Sequence, residues 1–314
     1  MSAIGIDVGG TKTAAAVVDE SGAVRRHVRV ATPLDPDGAL DAMAAAVAEL
    51  DAPELPVGVG VAGFVGLDGS TVLMAPNLGW CEEPLGLRLA ARLGVPVHVE
   101  NDANVAAWAE ARFGAGVGRA SVVCVTVGTG VGGGLVLDGR LQRGGFGCAG
   151  EVGHLPVVPD GLPCGCGQRG CLEQYASGTA LVRAARRLLD SSAPGTAALR
   201  AACAGRPEDL HGPAITDLAR RGDPAARALL AELGDWLSVG LAVLTAVLDP
   251  ECFVIGGGVA DAGDELLGPV RDGLRRRLPA GGARPGAEVV AARLGNDAGM
   301  IGAADLARIA EGAA

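Results

Sequence analysis

Apolar residues along the chain cluster in short runs bounded by glycine turns, and these runs alternate with longer amphipathic segments. The short runs predict buried strands, and the amphipathic segments predict helices that cover them, as in α/β proteins with mixed sheets. The predicted strands are Ala3–Asp7, Ala14–Val18, Val57–Gly63, Val95–Val99, Ser121–Thr126, Gly132–Leu137, Cys252–Ile255 and Ala287–Ala291. The predicted helices are Leu40–Leu50, Leu85–Leu93, Ala103–Phe113, Ala180–Leu189, Ile215–Arg221, Pro224–Leu248 and Gly299–Ala310. Residues 193–205 have little pattern and are expected to form a loop or a frayed helix.

One hairpin pattern occurs twice in the chain. Moving the first strand, its glycine turn and the returning strand along by 119 positions places them on residues 121–138 without a gap. The matched positions are Val8-Gly9 with Val127-Gly128, Thr13 with Gly132, and Asp19 with Asp138. The repeat predicts two α/β lobes that each begin with the same hairpin.

Composition narrows the classes of function. The 314 residues carry a formal net charge of -10 and a mean hydropathy of +0.34, and an acidic chain is a poor match for nucleic-acid binding. The chain has no run of 18 apolar residues and no basic leader, so we expect neither a membrane span nor a signal peptide. The cysteines outside residues 164–171 lie in apolar or glycine-rich surroundings, which is typical of a reducing cytoplasm. Most arginines are expected on the solvated surface, and a small ligand is the expected partner.

Cysteine and histidine are concentrated between residues 154 and 171. The side chains expected to bind one structural zinc ion are His154, Cys164, Cys166 and Cys171, a Cys₃His set. A disulfide is the alternative, but Cys164 and Cys166 are too close in sequence to pair without strain. A zinc ion with four protein ligands has no open coordination position for a substrate or a catalytic water. We therefore expect the metal to shape a loop that directs Glu151, Glu173 and His154 toward a ligand.

Three glycine-rich turns can hold phosphate groups, because glycine lets backbone N–H groups approach an oxygen closely. The turns are Gly9-Gly10-Thr11-Lys12, Gly128-Thr129-Gly130 and Gly256-Gly257-Gly258. Each alone is equally compatible with a plain hairpin turn. Two GxGxxG strings, which start at Gly58 and Gly128, lack the following helix that dinucleotide binding requires.

Two aspartates lie where predicted strands end. Asp7 comes directly before the first glycine turn, where it can hold Mg²⁺ beside a phosphate group. Asp102 lies between a strand and a helix, beside Asn101. Its side chain can cap that helix, or it can act as a general base toward a substrate hydroxyl.

Together these motifs resemble the ROK family of repressors and sugar kinases, which has the fold of sugar kinases, heat-shock ATPases and actin. The resembling segments are residues 7–13, 76–80, 100–102, 126–134, 151–154, 164–173 and 256–258. The resemblance implies a two-lobed α/β kinase with a structural zinc site and with the active site in the cleft between the lobes. It implies a small domain of residues 1–108 plus about 300–314, and a large domain of residues 109–299 that carries the zinc loop.

The resemblance also implies roles for individual residues. Asp102 is the expected catalytic base, and the expected sugar-binding residues are Asn101, Asp102, Glu151, His154 and Glu173. The expected residues for nucleotide and Mg²⁺ are Asp7, Gly9, Gly10, Thr11, Lys12, Thr129, Gly130, Gly256 and Gly257. The expected cofactors are ATP, Mg²⁺ and structural Zn²⁺. We expect a cytoplasmic homo-oligomer, a dimer or a tetramer, that binds a sugar and ATP but neither nucleic acid nor a membrane.

The reaction that the resemblance implies is transfer of the γ-phosphoryl group of ATP to the 6-hydroxyl of glucose. Kinases of N-acetylmannosamine, N-acetylglucosamine and fructose share nearly all of these motifs, so these three acceptors remain alternatives. A sugar-sensing transcriptional regulator is disfavoured, because the chain begins at its first strand without a helix-turn-helix. A zinc-dependent nicotinamide oxidoreductase is disfavoured, because neither GxGxxG string is followed by the helix that dinucleotide binding requires.

Overall fold

The computed structural model describes residues 1–191, 193–278 and 285–312. Packing divides the chain into two compact units. The first contains Met1–Ala120, Gly134–Gly150 and Arg293–Ala314, and the second contains Ser121–Gly133 and Glu151–Ala292. The expected domains, residues 1–108 plus about 300–314 and residues 109–299, stay a prediction.

The secondary structure alternates between strands and helices along most of the chain. In chain order the strands are β1 (Ala3–Val8), β2 (Lys12–Val18), β3 (Val24–Ala31), β4 (Val57–Val61), β5 (Phe64–Val65), β6 (Val72–Ala75), β7 (Trp80–Glu83), β8 (Val97–Asn101), β9 (Val122–Val127), β10 (Val131–Leu137), β11 (Arg140–Leu141), β12 (Cys252–Gly256) and β13 (Glu288–Ala291). The helices are α1 (Pro36–Glu49), α2 (Leu85–Leu93), α3 (Asp102–Phe113), α4 (Glu173–Ala176), α5 (Gly178–Asp190), α6 (Ala197–Ala202), α7 (Gly212–Arg220), α8 (Pro224–Leu248), α9 (Asp264–Arg277) and α10 (Ala298–Gly312).

The repeat seen in the sequence is confirmed by the strands. The bounds of β9 and β10 are those of β1 and β2 moved by 119 positions. The two large sheets also share one strand order, β3-β2-β1-β4-β8 and β11-β10-β9-β12-β13. In the first sheet, β1 pairs antiparallel with β2 and parallel with β4, so the expected mixed α/β architecture is confirmed.

Several strands and helices were not predicted from the sequence pattern. Strand β3 lies at the edge of its sheet, and arginine and histidine at its middle positions interrupt the apolar run. Helix α9 contains Pro269 and ends in three arginines, which obscures its apolar face. The strands β5 to β7 form a small antiparallel sheet and are too short to show alternation. Within residues 193–205, expected to be a loop or a frayed helix, the segment Ala197–Ala202 forms a short helix.

Helix α8 is long and apolar enough to cross a membrane by length and composition. Its buried residues recur along most of its length. It packs against α4, α5, α7 and α9, all within the second unit. Because these neighbours cover its apolar face, we interpret α8 as the core helix of that unit.

Helix α10 lies against the first sheet with the two backbones in direct contact. Gly5 and Gly58 are paired in neighbouring strands. A Cβ atom would lie 1.8 Å from the Met300 carbonyl oxygen if added at Gly5, and 1.9 Å from the Ala303 carbonyl oxygen if added at Gly58. Gly302 of α10 approaches the Val105 carbonyl of α3 in the same way, at 1.8 Å. The sheet, α10 and α3 can therefore pack this closely only because these positions carry no side chain.

Gly58→Ala is expected to destabilise the first unit, because the new methyl group must displace the backbone at Ala303. Overpacking of this kind costs about 1–3 kcal/mol. Gly268→Ala in α9 is the matched control, since its methyl group meets no described atom within 4 Å beyond its own helix. The control should be neutral or stabilising by up to about 1 kcal/mol. Urea unfolding measures both variants, and equal free energies of unfolding would contradict this account of the packing.

Candidate functional site

Strand β8 passes directly into helix α3 at Asn101 and Asp102. The strand extends beyond its expected end at Val99, so Glu100 and Asn101 belong to the sheet. Asn101 Oδ1 accepts the N–H of Asn104 at 3.0 Å and caps α3. The capping role considered for Asp102 is therefore filled by its neighbour.

Asp102 is the first residue of α3 and is partly exposed. Its Oδ1 accepts the N–H of Ala103 at 2.9 Å and the Nδ2–H of Asn101 at 3.1 Å. Burial raises the pKa of Asp102 above the ordinary value of an aspartate, although the hydrogen bonds from Ala103 and Asn101 act in the opposite direction. A raised pKa makes the carboxylate a stronger base near neutral pH, which suits proton transfer from a hydroxyl group.

Asp7 is a second carboxylate in the electrostatic field of Asp102. Burial, and then the negative charge of Asp102, raise the pKa of Asp7 to about 6. Space for its side chain comes from Gly299, where a Cβ atom would lie 2.7 Å from Asp7 Cγ. Carboxylate oxygens are the ligands that Mg²⁺ prefers, so Asp7 is of a suitable residue type to hold that cation.

The expected phosphate turns occur in both units. After β1, the N–H of Gly9 donates to the Lys12 carbonyl at 3.0 Å, and residues 10–12 are exposed. In the second unit the turns at residues 128–130 and 256–258 adjoin each other. Gly257 has a φ of +83°, and a Cβ atom there would lie 2.5 Å from the Val127 carbonyl oxygen. The third turn therefore requires glycine both for its backbone conformation and for its contact with the end of β9.

The four expected zinc ligands lie together in the second unit. They are His154, Cys164, Cys166 and Cys171, and one donor atom from each lies within 4.8 Å of the others. Cys164 Sγ is 3.6 Å from His154 Nδ1, and Cys166 Sγ is 3.7 Å from Cys171 Sγ. The three cysteines are free thiols.

These separations agree with tetrahedral zinc. Bonds of about 2.3 Å to sulfur and about 2.0–2.1 Å to nitrogen place two sulfur atoms about 3.8 Å apart, and sulfur and nitrogen about 3.6 Å apart. Burial, followed by the neighbouring thiols, raises the pKa of Cys171 to about 12, so a metal would have to displace a proton from that thiol. The donor set and its geometry therefore fit a structural zinc ion.

Tight turns bring these ligands together. The N–H of Cys164 donates to the Gln168 carbonyl at 2.9 Å, and the N–H of Leu172 donates to the Leu155 carbonyl at 2.8 Å. Gly170 has a φ of +75°, and a Cβ atom there would lie 1.8 Å from the Val158 carbonyl oxygen. Glycine at this position allows the chain to return and present Cys171.

The polar residues around the metal group face different partners. His154 turns Nδ1 to Cys164, while its Nε2 lies 3.9 Å from Glu151 Oε2. Glu173 begins α4, with Oε1 3.9 Å from Cys164 Sγ and Oε2 accepting the N–H of Val131 at 3.0 Å. A Cβ atom at Gly130 would lie 2.2 Å from that same Oε2. Glu173 therefore connects the metal group to the glycine turn before β10.

A cavity of about 1180 Å³ lies within the second unit. It begins at Gly128, Thr129 and Gly258 and extends along α5 to Asp190. Its polar lining includes three arginines from one face of α5: Arg183, Arg186 and Arg187. These three arginines were expected on the solvated surface, but Arg186 and Arg187 follow Arg183 by three and four residues and so share one helical face. Glycine turns at one end and cations along one wall suit a phosphate-bearing ligand.

Comparison with known sequences decides the family. A sequence family described as the ROK family matches residues 3–310. The chain belongs to the ROK family.

Close relatives of this ROK protein are named as sugar kinases. A glucokinase of Streptomyces coelicolor is 49% identical over 307 residues, which cover 97% of each chain. A crystal structure of a ROK family glucokinase from Streptomyces griseus, in complex with glucose and AMPPNP, matches with a TM-score of 0.89 and 49% identity, and covers 98% of this chain and 100% of that one. An N-acetylmannosamine kinase of Shigella boydii is 35% identical over 312 residues, 98% of this chain and 99% of its own.

Cys166→Ser is expected to remove bound zinc from this ROK protein, because a serine hydroxyl is a poor replacement for a thiolate ligand. Elemental analysis of the purified wild type should find about one zinc per chain, as one Cys₃His group would hold. Cys81→Ser is the control, since Cys81 is also exposed but lies in β7. Zinc content that is unchanged in Cys166→Ser, or equally reduced in the control, would contradict the assignment.

Asp7→Asn is expected to raise the free energy of unfolding above pH 6, measured in EDTA. The pKa of Asp7 is about 6 in the folded protein and 3.8 ordinarily, so the folded state retains a proton that the unfolded state loses between these values. The Asp7 carboxyl therefore contributes to the free energy of unfolding below about pH 4, and this contribution is lost as pH rises to about 6. The substitution should stabilise by at most about 3 kcal/mol near pH 8 and by almost nothing near pH 4. Denaturant unfolding at both pH values is the measurement, and a pH-independent difference would refute the assignment.

Proposed function

We propose that this ROK protein phosphorylates glucose at its 6-hydroxyl with ATP as the donor. The observation that carries the proposal is the match, over 98% of the chain, to a Streptomyces griseus glucokinase in complex with glucose and AMPPNP. The cavity of about 1180 Å³ in the second unit supports it independently, since glycine turns bound it at one end and arginines line its wall.

The first unit supplies the base. Asp102 accepts the proton of the 6-hydroxyl, and Asn101 binds a neighbouring sugar hydroxyl. This role is supported by the cap that Asn101 provides, because Asp102 is then not required to start the helix. Phosphoryl transfer has a loose transition state, so the base acts mainly by orienting the hydroxyl and by removing its proton late.

The first unit also supplies groups for the metal and the phosphates. Asp7 would hold Mg²⁺, which when bound neutralises charge on the phosphate oxygens. The turn after β1 would contact the same phosphates through Gly9, Gly10, Thr11 and Lys12. The exposure of residues 10–12 supports this role, since this part of the turn is open to a ligand.

The second unit supplies further contacts to the sugar and the nucleotide. Glu151, His154 and Glu173 would bind sugar hydroxyls, and His154 and the three cysteines would hold a zinc ion that fixes their loop. The phosphate-binding residues are Thr129, Gly130, Gly256 and Gly257. The contact of Glu173 with Val131 supports this arrangement, because it joins the zinc loop to one of the phosphate turns.

An N-acetylhexosamine kinase is the second candidate function. It is supported by the 35% identity to an N-acetylmannosamine kinase over nearly the whole chain. Such an acceptor needs room beside the 2-position of the sugar, and fructose is a third acceptor to test.

We further propose that the protein is a cytoplasmic homo-oligomer, a dimer or a tetramer, without a nucleic-acid or membrane partner. Its proposed domains are residues 1–108 plus about 300–314 and residues 109–299.

A competition among acceptors tests the function. Purified protein with Mg-ATP is given glucose, fructose, N-acetylmannosamine and N-acetylglucosamine, and kcat/KM is compared across them. The proposal expects glucose to have the largest value. A larger value for an N-acetylated sugar would replace glucokinase by the second candidate, and no transfer to any sugar would overturn both.

Asp102→Asn is expected to lower kcat by roughly 10² or more, the effect of losing a positioned base. Glucose binding, measured by titration calorimetry, should change little because the amide keeps the size and hydrogen-bonding capacity of the side chain. Asp35→Asn is the matched control: Asp35 caps α1 by accepting the N–H of Gly38 at 2.7 Å, and asparagine also caps helices. Near-normal turnover of Asp102→Asn would remove this residue from the role.

A further inference from the structure

Glu100 is a buried carboxylate two residues before the proposed base. Only 1% of its surface is exposed, and an ionised group in such a position needs close partners. Its Oε1 accepts the N–H of Asn101 at 2.8 Å and the Nδ2–H of Asn104 at 3.0 Å. One oxygen of Glu100 therefore holds two residues of the strand-to-helix junction.

Arg143 supplies the opposite charge. Its Nε lies 2.8 Å from Glu100 Oε2. The contact is an ion pair without hydrogen-bond alignment, since neither atom has a hydrogen-bond partner among the described residues. The Nη1 and Nη2 groups of Arg143 donate to the carbonyl oxygens of Leu67 and Gly66, at 3.2 and 2.7 Å. One guanidinium thereby joins the end of β8 to the segment after β5.

The groups held by Glu100 lie on both sides of Asp102 in the chain. Glu100 holds Asn101 through the backbone N–H of that residue. Asn101 in turn caps α3, because its side-chain oxygen accepts the N–H of Asn104. Asn104, which is also buried, is held again through its side chain. The first turn of α3 is therefore fixed around Asp102 by two hydrogen bonds to the Glu100 carboxylate and by the cap from Asn101.

We propose that Glu100 and Arg143 are positioning residues for phosphoryl transfer, an inference that rests on the proposed function. Glu100 fixes the groups that flank Asp102, and Arg143 fixes Glu100, so that the Asp102 carboxylate keeps one orientation toward the acceptor hydroxyl. Misplacement of a reacting group by about 1 Å can lower a rate by roughly 10². A pair with only a structural role would change stability and leave turnover intact.

Two conservative variants test the pair. Glu100→Gln keeps the size of the side chain but removes the charge that faces Arg143. Arg143→Lys keeps the charge, but one ammonium group cannot reproduce the planar set of donors that contacts Glu100 and two carbonyls. Each is expected to lower kcat about tenfold or more, while Kd for Mg-AMPPNP changes by less than about twofold.

Glu110→Gln is the matched control. Glu110 is also 1% exposed and lies in α3, the helix that begins at Asp102, and its carboxylate accepts the backbone N–H groups of Ala115, Arg293 and Leu294. This variant should lose a comparable amount of thermal stability, because a buried acceptor is weakened. Its kcat should stay within about twofold of the wild type.

Steady-state kinetics, nucleotide titration and Tm together decide the outcome. The inference is overturned if both variants keep kcat within about twofold of the wild type, or if Glu110→Gln loses as much kcat at an equal loss of Tm. If Glu100→Gln does not fold, Arg143→Lys decides alone. An inactive wild type would overturn the proposed function and this inference with it, whereas an active wild type with unaffected variants would overturn the inference only.

Discussion

Direct contact between the backbone of α10 and the first sheet determines where the chemistry of the first unit can lie. Gly5 and Gly58 admit the helix to the sheet, and Gly302 admits α3 to the helix. Because α3 begins at Asp102, its placement on α10 also places that carboxylate. Gly299 in the first turn of α10 leaves room for Asp7. The acidic pair of this unit therefore depends on positions that have no side chain of their own.

The second unit holds its polar side chains by different means. Between Glu151 and Glu173 the chain has only a short 3₁₀ turn and isolated bridges, which is little regular structure for holding three polar residues. Four donor atoms within 4.8 Å of one another would provide the missing constraint on binding a metal. The contact of Glu173 with Val131 then carries the order of this loop to a glycine turn. The first unit thus fixes its polar groups by close backbone packing, and the second unit has a donor set suited to fixing them by ligation.

Local patterns allowed much of this to be predicted, and contacts between distant segments account for the rest. The repeated hairpin and the Cys₃His group are visible because each is encoded within a few tens of residues. The choice of Asn101 over Asp102 as the cap could not be predicted, since both residue types cap helices and the end of β8 decides between them. The pair of Glu100 and Arg143 joins separate segments, so neither residue has a local signal for the contact. Arg183, Arg186 and Arg187 resemble surface residues until the cavity that they line is seen.

The two copies of the hairpin have the same strand bounds but carry different chemical groups beside their turns. Under the shift of 119 positions, Asp7 corresponds to Thr126 and the exposed Lys12 corresponds to the buried Val131. The two copies thus keep one chain path but differ in polarity at the residues that flank the turn. The first copy therefore places a carboxylate and an ammonium group beside its turn, whereas the second places a hydroxyl group and an apolar side chain there.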